Sequence, residues 1–158
     1  MQLSNILIEV DRRTKPNLPD WMDLLTTPKV NIPLQENPSQ YKLSDIELWQ
    51  HDEQKSGGSI MSGGERIYRH LKNSELLTRA LDLHDGVEIQ KKGAETLRML
   101  SGRHGSLFLW RSVGRDKKMK RYVPYLHTKE ETVEIGWSPL HIIQSQTDYS
   151  GLFRPIAK

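Results

Sequence analysis

The chain has 158 residues, no cysteine and a formal net charge of +3. This length suits one domain with its own hydrophobic core, and the absence of cysteine excludes disulfides and thiolate metal sites. No apolar run approaches the roughly 18 to 20 residues of a membrane span, and the first residues lack the pattern of a signal peptide. We therefore expect a cytoplasmic domain with no membrane association.

The first third of the sequence predicts a strand, an irregular arm and a short helix. Residues 3 to 10 are aliphatic and β-branched, which favours a strand. Residues 11 to 42 form an arm in which prolines forbid long regular elements, although Pro19 suits the first position of a helical turn. Ser44 and Glu47 have capping-box spacing, which predicts a helix over residues 44 to 54. The arm holds five of the eight prolines, namely Pro16, Pro19, Pro28, Pro33 and Pro38.

The middle of the sequence predicts helices that follow a glycine-rich loop. From Glu65 onward, apolar residues recur at helical spacing, and the apolar stripe changes phase at Asn73. We therefore expect two helices that meet near residue 73, the second stopped by a His-Asp-Gly turn at residues 84 to 86. Residues 87 to 90 alternate as a short strand.

A further helix and several strands are predicted after this point. Residues 94 to 102 give a helix with Leu97 and Leu100 inward and Gly102 as its stop signal. The apolar run from Ser106 to Val113 and the segment after it predict a hairpin, with Pro124 on an edge strand and Trp110 in the core.

The C-terminal part alternates and then becomes polar. Residues 132 to 137 predict a strand with Val133, Ile135 and Trp137 inward. Ser138-Pro139 suits the start of a last short helix, and the residues after Gln144 are polar.

Together these elements predict an α+β fold. We expect a single small domain in which a short helical bundle packs on an antiparallel sheet containing a basic hairpin, preceded by a Pro-rich irregular arm. The expected divisions are residues 1–55 (N-terminal strand, Pro-rich arm and short helix), 56–64 (Gly/Ser loop), 65–145 (main α+β body) and 146–158 (C-terminal tail).

Catalytic motifs are not apparent in the sequence. Gly58 and Gly63 have the spacing of a phosphate-binding P-loop, but Gly64 and Glu65 stand where Lys and Ser or Thr are required. The six histidines show no metal-binding spacing. We predict no catalytic residues, no cofactor and no metal site, and an enzyme is the third choice among the functions considered.

Charge is distributed unevenly and suggests a binding surface. Residues 88 to 127 carry ten Lys or Arg and three acidic residues, a local net charge of +7, so the remainder nets −4. Cations beside aromatic rings suit phosphate neutralisation and base stacking, whereas charged hairpin tips also occur simply because they are solvated. The candidate nucleic-acid-binding residues are Lys91, Lys92, Arg98, Arg103, Arg111, Arg115, Lys117, Lys118, Lys120, Arg121 and Tyr122.

We therefore expect a non-enzymatic accessory protein that contacts nucleic acid or a nucleoprotein complex through a basic helix-hairpin face. The sequence does not choose between DNA and RNA and leaves the oligomeric state open. The alternative is a protein-binding adaptor or inhibitor, in which the Pro-rich arm and the acidic remainder dock on a partner and the basic hairpin meets an acidic protein surface.

Overall fold

The computed structural model describes residues 2–13, 18–24, 38–55, 63–102, 105–141 and 147–155. Short 3₁₀ helices cover Leu3–Asn5, Leu43–Asp45, Leu76–Arg79 and Trp110–Ser112. The other elements, in chain order, are β1 (Leu7–Glu9), β2 (Asp23–Leu24), β3 (Gln40–Lys42), β4 (Ile46–Trp49), α1 (Asp52–Lys55), α2 (Gly63–Asn73), α3 (Leu83–Lys91), α4 (Ala94–Ser101), β5 (Ser106–Phe108), β6 (Gly114–Arg115), β7 (Arg121–Lys129), β8 (Thr132–Pro139) and β9 (Asp148–Phe153).

Most strands belong to one seven-stranded sheet. β8 pairs along one edge of β7, and β6 and β5 pair in succession along its other edge. β2 pairs with β6, and β9 lies between β5 and β4. All these pairings are antiparallel except that of β5 with β9. The strands β1 and β3 form a separate two-stranded antiparallel sheet. This arrangement of helices and a mainly antiparallel sheet confirms the predicted α+β class.

Hydrophobic cores cover both faces of the large sheet, because successive residues of a strand point to opposite faces. In β5, Leu107 joins a core with residues of α3, α4 and the small sheet, while Phe108 joins a core with residues of α2. In β9, Phe153 joins the first of these cores and Leu152 joins the second. Trp110 is fully buried in the second core, as its apolar surroundings predict. The helices therefore lie on opposite sides of the sheet.

Two predicted helices are confirmed. α2 ends at Asn73, where the apolar stripe changes phase, and Glu75 adopts a left-handed conformation just beyond it. α4 buries Leu97 and Leu100, and Gly102, with a φ of 83°, follows its last residue. The second of the two helices expected around residue 73 is only the 3₁₀ helix Leu76–Arg79.

The prediction of a turn at residues 84 to 86 and a strand at 87 to 90 is wrong, because both segments lie within α3. Asp82 is the N-cap of this helix: its side chain accepts a hydrogen bond from the Asp85 amide, and the Asp85 side chain accepts one from the Asp82 amide. This reciprocal pairing satisfies two amides that a helix start leaves open. The absence of a Cβ at Gly86 lets the Leu109 side chain pack closely against the helix, since a Cβ there would overlap a Leu109 methyl group.

The prediction of a helix over residues 44 to 54 is also wrong. Residues 46 to 49 form β4, which pairs in full with β9, and only the single turn α1 follows. The expected capping pair of Ser44 and Glu47 does not form; the Asp45 carboxylate instead accepts a hydrogen bond from the Lys42 amide. Pairing with β9, which is distant in sequence, decides this segment.

The C-terminal half also differs from the prediction. β7 has neighbours on both edges, so Pro124 is not on an edge strand. The carbonyl of Pro124 accepts a hydrogen bond from the Leu109 amide, in the gap between β5 and β6. The amide and carbonyl of a residue in a strand point toward the same edge. The missing amide hydrogen of Pro124 therefore faces the gap between β5 and β6, where no strand residue needs it as a donor. Ser138 and Pro139 end β8 instead of starting a helix, and β9 occupies the segment expected to be a polar tail.

Several predictions lie outside the described residues. Most of the Pro-rich arm does so, as do residues 56–62 of the predicted glycine-rich loop, whereas Gly63 and Gly64 begin α2. Pro19 precedes a single turn, closed by a hydrogen bond from the Met22 amide to its carbonyl, and β2 follows. Within the described ranges, no helix has both the length and the apolar composition needed to cross a bilayer.

Candidate nucleic-acid interface

The segment between β6 and β7, residues 116–120, forms a tight turn that we call the basic turn. Asp116 organises it: one carboxylate oxygen, Oδ1, accepts hydrogen bonds from the amides of Lys118 and Lys120, each 2.9 Å long. The Asp116 backbone amide donates to the Lys120 carbonyl, and Met119 takes a left-handed φ of 69°. The turn therefore has a fixed backbone although its side chains project outward.

The electrostatics of Asp116 favour its charged form. Desolvation acts to raise the pKa of its carboxyl, but the hydrogen bonds from the Lys120 and Lys118 amides and from Tyr122 lower this pKa below its ordinary value. Asp116 thus stays ionised and continues to hold the turn when the pH falls moderately. The acid is used internally, which leaves the surrounding lysines to face outward.

On one face of β7, aromatic rings lie beside the basic turn. The Tyr122 hydroxyl donates to Asp116 Oδ2 at 3.2 Å, and the Tyr122 ring meets the Trp21 ring edge to face with centroids 4.9 Å apart. The Lys120 ammonium lies 5.7 Å from the Tyr122 ring centroid. Tyr122 is half-buried, whereas Trp21 is 42% exposed. Charge and aromatic surface are therefore adjacent.

On the opposite face of β7, Arg121 points toward α2. Its guanidinium forms an ion pair with Glu65 and lies 5.7 Å from the ring centroid of Tyr68. The Lys72 ammonium lies 5.5 Å from the same centroid. These residues line a cavity of about 150 Å³ whose walls are Glu65, Tyr68, Arg69, Lys72, Asn73 and Arg121.

The cations of α2 extend the basic surface beyond the residues predicted from sequence. Among the described residues, no carboxylate lies within salt-bridge distance of Arg69, Lys72, Arg115, Lys117 or Lys118. The lysines of the turn are exposed, and Arg69 and Lys72 are exposed on α2. We call the combined set the turn surface; it comprises Arg69, Lys72, Arg115, Lys117, Lys118, Lys120, Arg121 and Tyr122.

A second group of predicted residues lies at the other end of β7. Arg98 donates to the Glu130 carbonyl at 2.6 Å and lies 3.7 Å from the Glu131 carboxylate. Lys91 is exposed and paired with Glu88 at 2.9 Å, and Lys92 is exposed next to it at the end of α3. Arg121 and Lys129 are eight residues apart on one strand, about 26 Å at the usual rise. The predicted residues therefore form two groups and not one face.

The two remaining predicted residues do not join the turn surface. Arg111 is 3% exposed and donates to the Thr78 carbonyl at 2.8 Å, so it stabilises the interior and presents no charge to a partner. Arg103 lies outside the described residues.

Sequence reasoning missed Arg69, Lys72 and Trp21. The first two had a usable signal, because in α2 they lie three residues apart and off the inner stripe of Ile67, Tyr68 and Leu71. Trp21 had none, since its proximity to Tyr122 depends on the pairing of β2 with β6.

A buried polar cluster joins the N-terminal segment to the start of α3. Arg12 donates to both carboxylate oxygens of Asp85, at 2.8 and 3.0 Å, and to Asp82 Oδ2 at 3.0 Å. The Tyr41 hydroxyl donates to Asp85 at 2.7 Å. Asp85 is fully buried, and the Arg12 side chain is 7% exposed. The contacts are internal, which indicates a structural clasp.

The pKa values of the clasp follow from burial and pairing. Burial and the charge of Asp82 raise the pKa of Asp85 to about 7, although Arg12 acts to lower it. Burial alone would raise the pKa of Asp82, but the His84 hydrogen bond and the Arg12 charge lower it below its ordinary value. Among the described residues, no group of three or more His, Asp or Glu side chains is arranged to hold a metal ion.

No protein-family model matches the chain, and no curated protein or solved structure gives a significant match to it.

Proposed function

We propose that this protein is a non-enzymatic accessory protein that contacts nucleic acid, alone or within a nucleoprotein complex, through the turn surface. The observation that carries this proposal is the grouping of cations on both sides of one end of β7, most of which have no acidic partner among the described residues. In the described part of the chain, the acids beside these cations are engaged within the fold: Asp116 by the turn amides and Glu65 by Arg121. The turn lysines and the cations of α2 are therefore left to face solvent.

The shape of the surface suits a phosphate backbone better than a single small anion. Arg115 and the turn lysines lie at the sheet end, while Arg69 and Lys72 flank the cavity beside Arg121. A chain of phosphates can contact such cations in succession and release condensed counterions at each contact. Phosphate contacts of this kind position a nucleic acid without reading its sequence, so we propose binding of low sequence specificity.

Titration of the protein with labelled single- and double-stranded DNA and RNA at two salt concentrations tests the proposal. We expect binding whose logarithm falls linearly with the logarithm of salt, by about 0.7 to 0.9 per phosphate contacted. Replacing Arg115, Lys117, Lys118, Lys120 and Arg121 together with Gln removes the cations of the turn and of the adjoining strand residues. The slope should then decrease by a few units, roughly one per lost contact.

A control separates loss of contact from loss of fold. The variant should keep a cooperative thermal transition, because the lysines are exposed and the ion pair of Arg121 with Glu65 is only partly buried, so its loss should cost little. A folded wild-type protein that binds none of these nucleic acids at low salt would refute the proposal. Binding of an acidic protein through the same residues would then favour the adaptor function, in which the turn surface meets carboxylates.

A further inference from the structure

Exposed large apolar side chains are concentrated near the basic turn. In the part of the chain that the structure describes, three large hydrophobic residues are exposed: Leu7 and Trp21, each 42%, and Met119, 62%. Met119 lies inside the turn, and Trp21 contacts Tyr122 next to it. A partly exposed indole close to the basic turn offers aromatic surface to a partner, and burial of that surface on binding would be favourable.

The surroundings of Trp21 hold it in place without covering it. Tyr122 meets it edge to face and is itself fixed through its hydroxyl by Asp116. Trp21 lies within the turn that runs from Pro19 to Met22, just before β2, which pairs with β6. Lys120 lies over the ring of Tyr122, which in turn contacts Trp21. The indole is thus a fixed, partly open surface with positive charge close to it.

We propose that Trp21 is a stacking surface for an unpaired base, and that the turn surface therefore prefers single-stranded nucleic acid to duplex. This inference rests on the proposed function. An aromatic ring can stack on any unpaired base, since every base has a π-face, whereas bases within a duplex already stack on one another. Tyr122 acts as a positioning residue that sets the orientation of the indole. The adjacent Lys120 contacts the phosphate of the stacked nucleotide.

The test compares a single strand with a duplex of the same length at one salt concentration. Replacing Trp21 with Leu keeps an apolar side chain and removes the aromatic face. The affinity for oligo(dT) or oligo(U) should fall roughly 5- to 150-fold, the range expected for one stacked base, and the affinity for duplex should not change. Replacing Trp21 with Tyr should restore most of the single-strand affinity. Leu7 is equally exposed but lies in the separate sheet of β1 and β3, and it provides the matched control Leu7→Ala, which should change neither affinity.

Fluorescence gives an independent readout. Oligo(dT) should quench the part of the tryptophan emission that comes from Trp21, and this quenching should be lost in Trp21→Leu. The other three tryptophans remain in the variant as an internal reference, Trp110 fully buried and Trp49 and Trp137 partly buried against the cores. Unchanged single-strand affinity in a folded Trp21→Leu variant, or equal weakening toward duplex, overturns the stacking inference while leaving the proposed function intact. Absence of binding to any nucleic acid by the wild-type protein overturns both.

Discussion

Replacing Arg12 with Met should strongly destabilise the fold, because Arg12 is the cation of a buried cluster. Its side chain is 7% exposed and donates to Asp82 and to both oxygens of Asp85, and a further hydrogen bond reaches the Pro38 carbonyl. Methionine matches the apolar stem but leaves two buried carboxyls without their cation. Breaking a buried pair by removing one partner typically costs about 3 to 5 kcal/mol.

This cost is large relative to the total stability of a domain, which is about 5 to 15 kcal/mol. For a chain of this size, it corresponds to a decrease in melting temperature of about 6 to 20 °C. The neighbouring Arg13 supplies a matched control. Its side chain is 92% exposed and its ion pair is with Asp11 on the surface, so Arg13→Met should leave the melting temperature unchanged within error.

The cost should depend on pH in a defined direction. Without Arg12, burial and Asp82 raise the pKa of Asp85 further above about 7, and a carboxyl with a raised folded-state pKa stabilises the fold only while it is protonated. That contribution is lost as the pH rises through the folded-state pKa. Urea unfolding should therefore show a larger destabilisation by Arg12→Met at pH 8 than at pH 5. A cost below about 1 kcal/mol at pH 8, or a larger cost at pH 5, would refute the buried clasp.

Two further substitutions test the packing on the α2 side of the sheet. Ser150→Ala removes the acceptor of the buried Trp110 indole N–H, now 2.8 Å away, and should cost about 1 to 3 kcal/mol in urea unfolding. Gly64→Ala places a Cβ against the Leu140 carbonyl oxygen and should lower the free energy of unfolding by about 1 to 3 kcal/mol in the same assay. Asn73 is exposed at the end of the same helix, so the control Asn73→Ala should lower it less. Wild-type stability in either of the first two variants would contradict the packing described.

Elements governed by local signals were predictable from sequence. The helix at residues 94 to 101 combines inward leucines with a terminal glycine, and the strand at 132 to 139 begins with a clean alternation. In these segments, the periodicity of burial, the end signal and the final packing agree. Locally determined helices and strands of this kind were sufficient to predict the α+β class.

Elements governed by distant partners were not predictable in this way. Residues 46 to 49 have a plausible capping pair for a helix, but β9 pairs with the whole segment, and β9 was itself not foreseen. α3 is different, because the Asp82 and Asp85 spacing was a usable capping signal that the apparent His-Asp-Gly turn obscured. Gly86 is favoured there by close packing against Leu109, a contact invisible in local sequence.

The candidate site was only partly accessible to sequence reasoning. Counting charges over residues 88 to 127 groups Lys91 with Lys118, although the two side chains lie near opposite ends of β7. The count also includes Arg111, whose burial depends on the 3₁₀ helix that follows β5. Trp21 entered the site only through the pairing of two short strands. Composition therefore predicted that the surface is positively charged, but not which residues form it.

The most direct test of the proposed interface compares two pairs of lysines that change the total charge equally. Lys117→Gln/Lys118→Gln alters the basic turn, and Lys91→Gln/Lys92→Gln alters the end of α3, where Lys91 already pairs with Glu88. The measurement is the affinity for one single-stranded oligonucleotide as a function of salt. We predict that the turn variant reduces the salt slope by up to about two units, one per lost contact, and that the α3 variant leaves the slope almost unchanged. Equal reductions by the two variants, or a larger one by the α3 variant, would contradict binding through the turn surface.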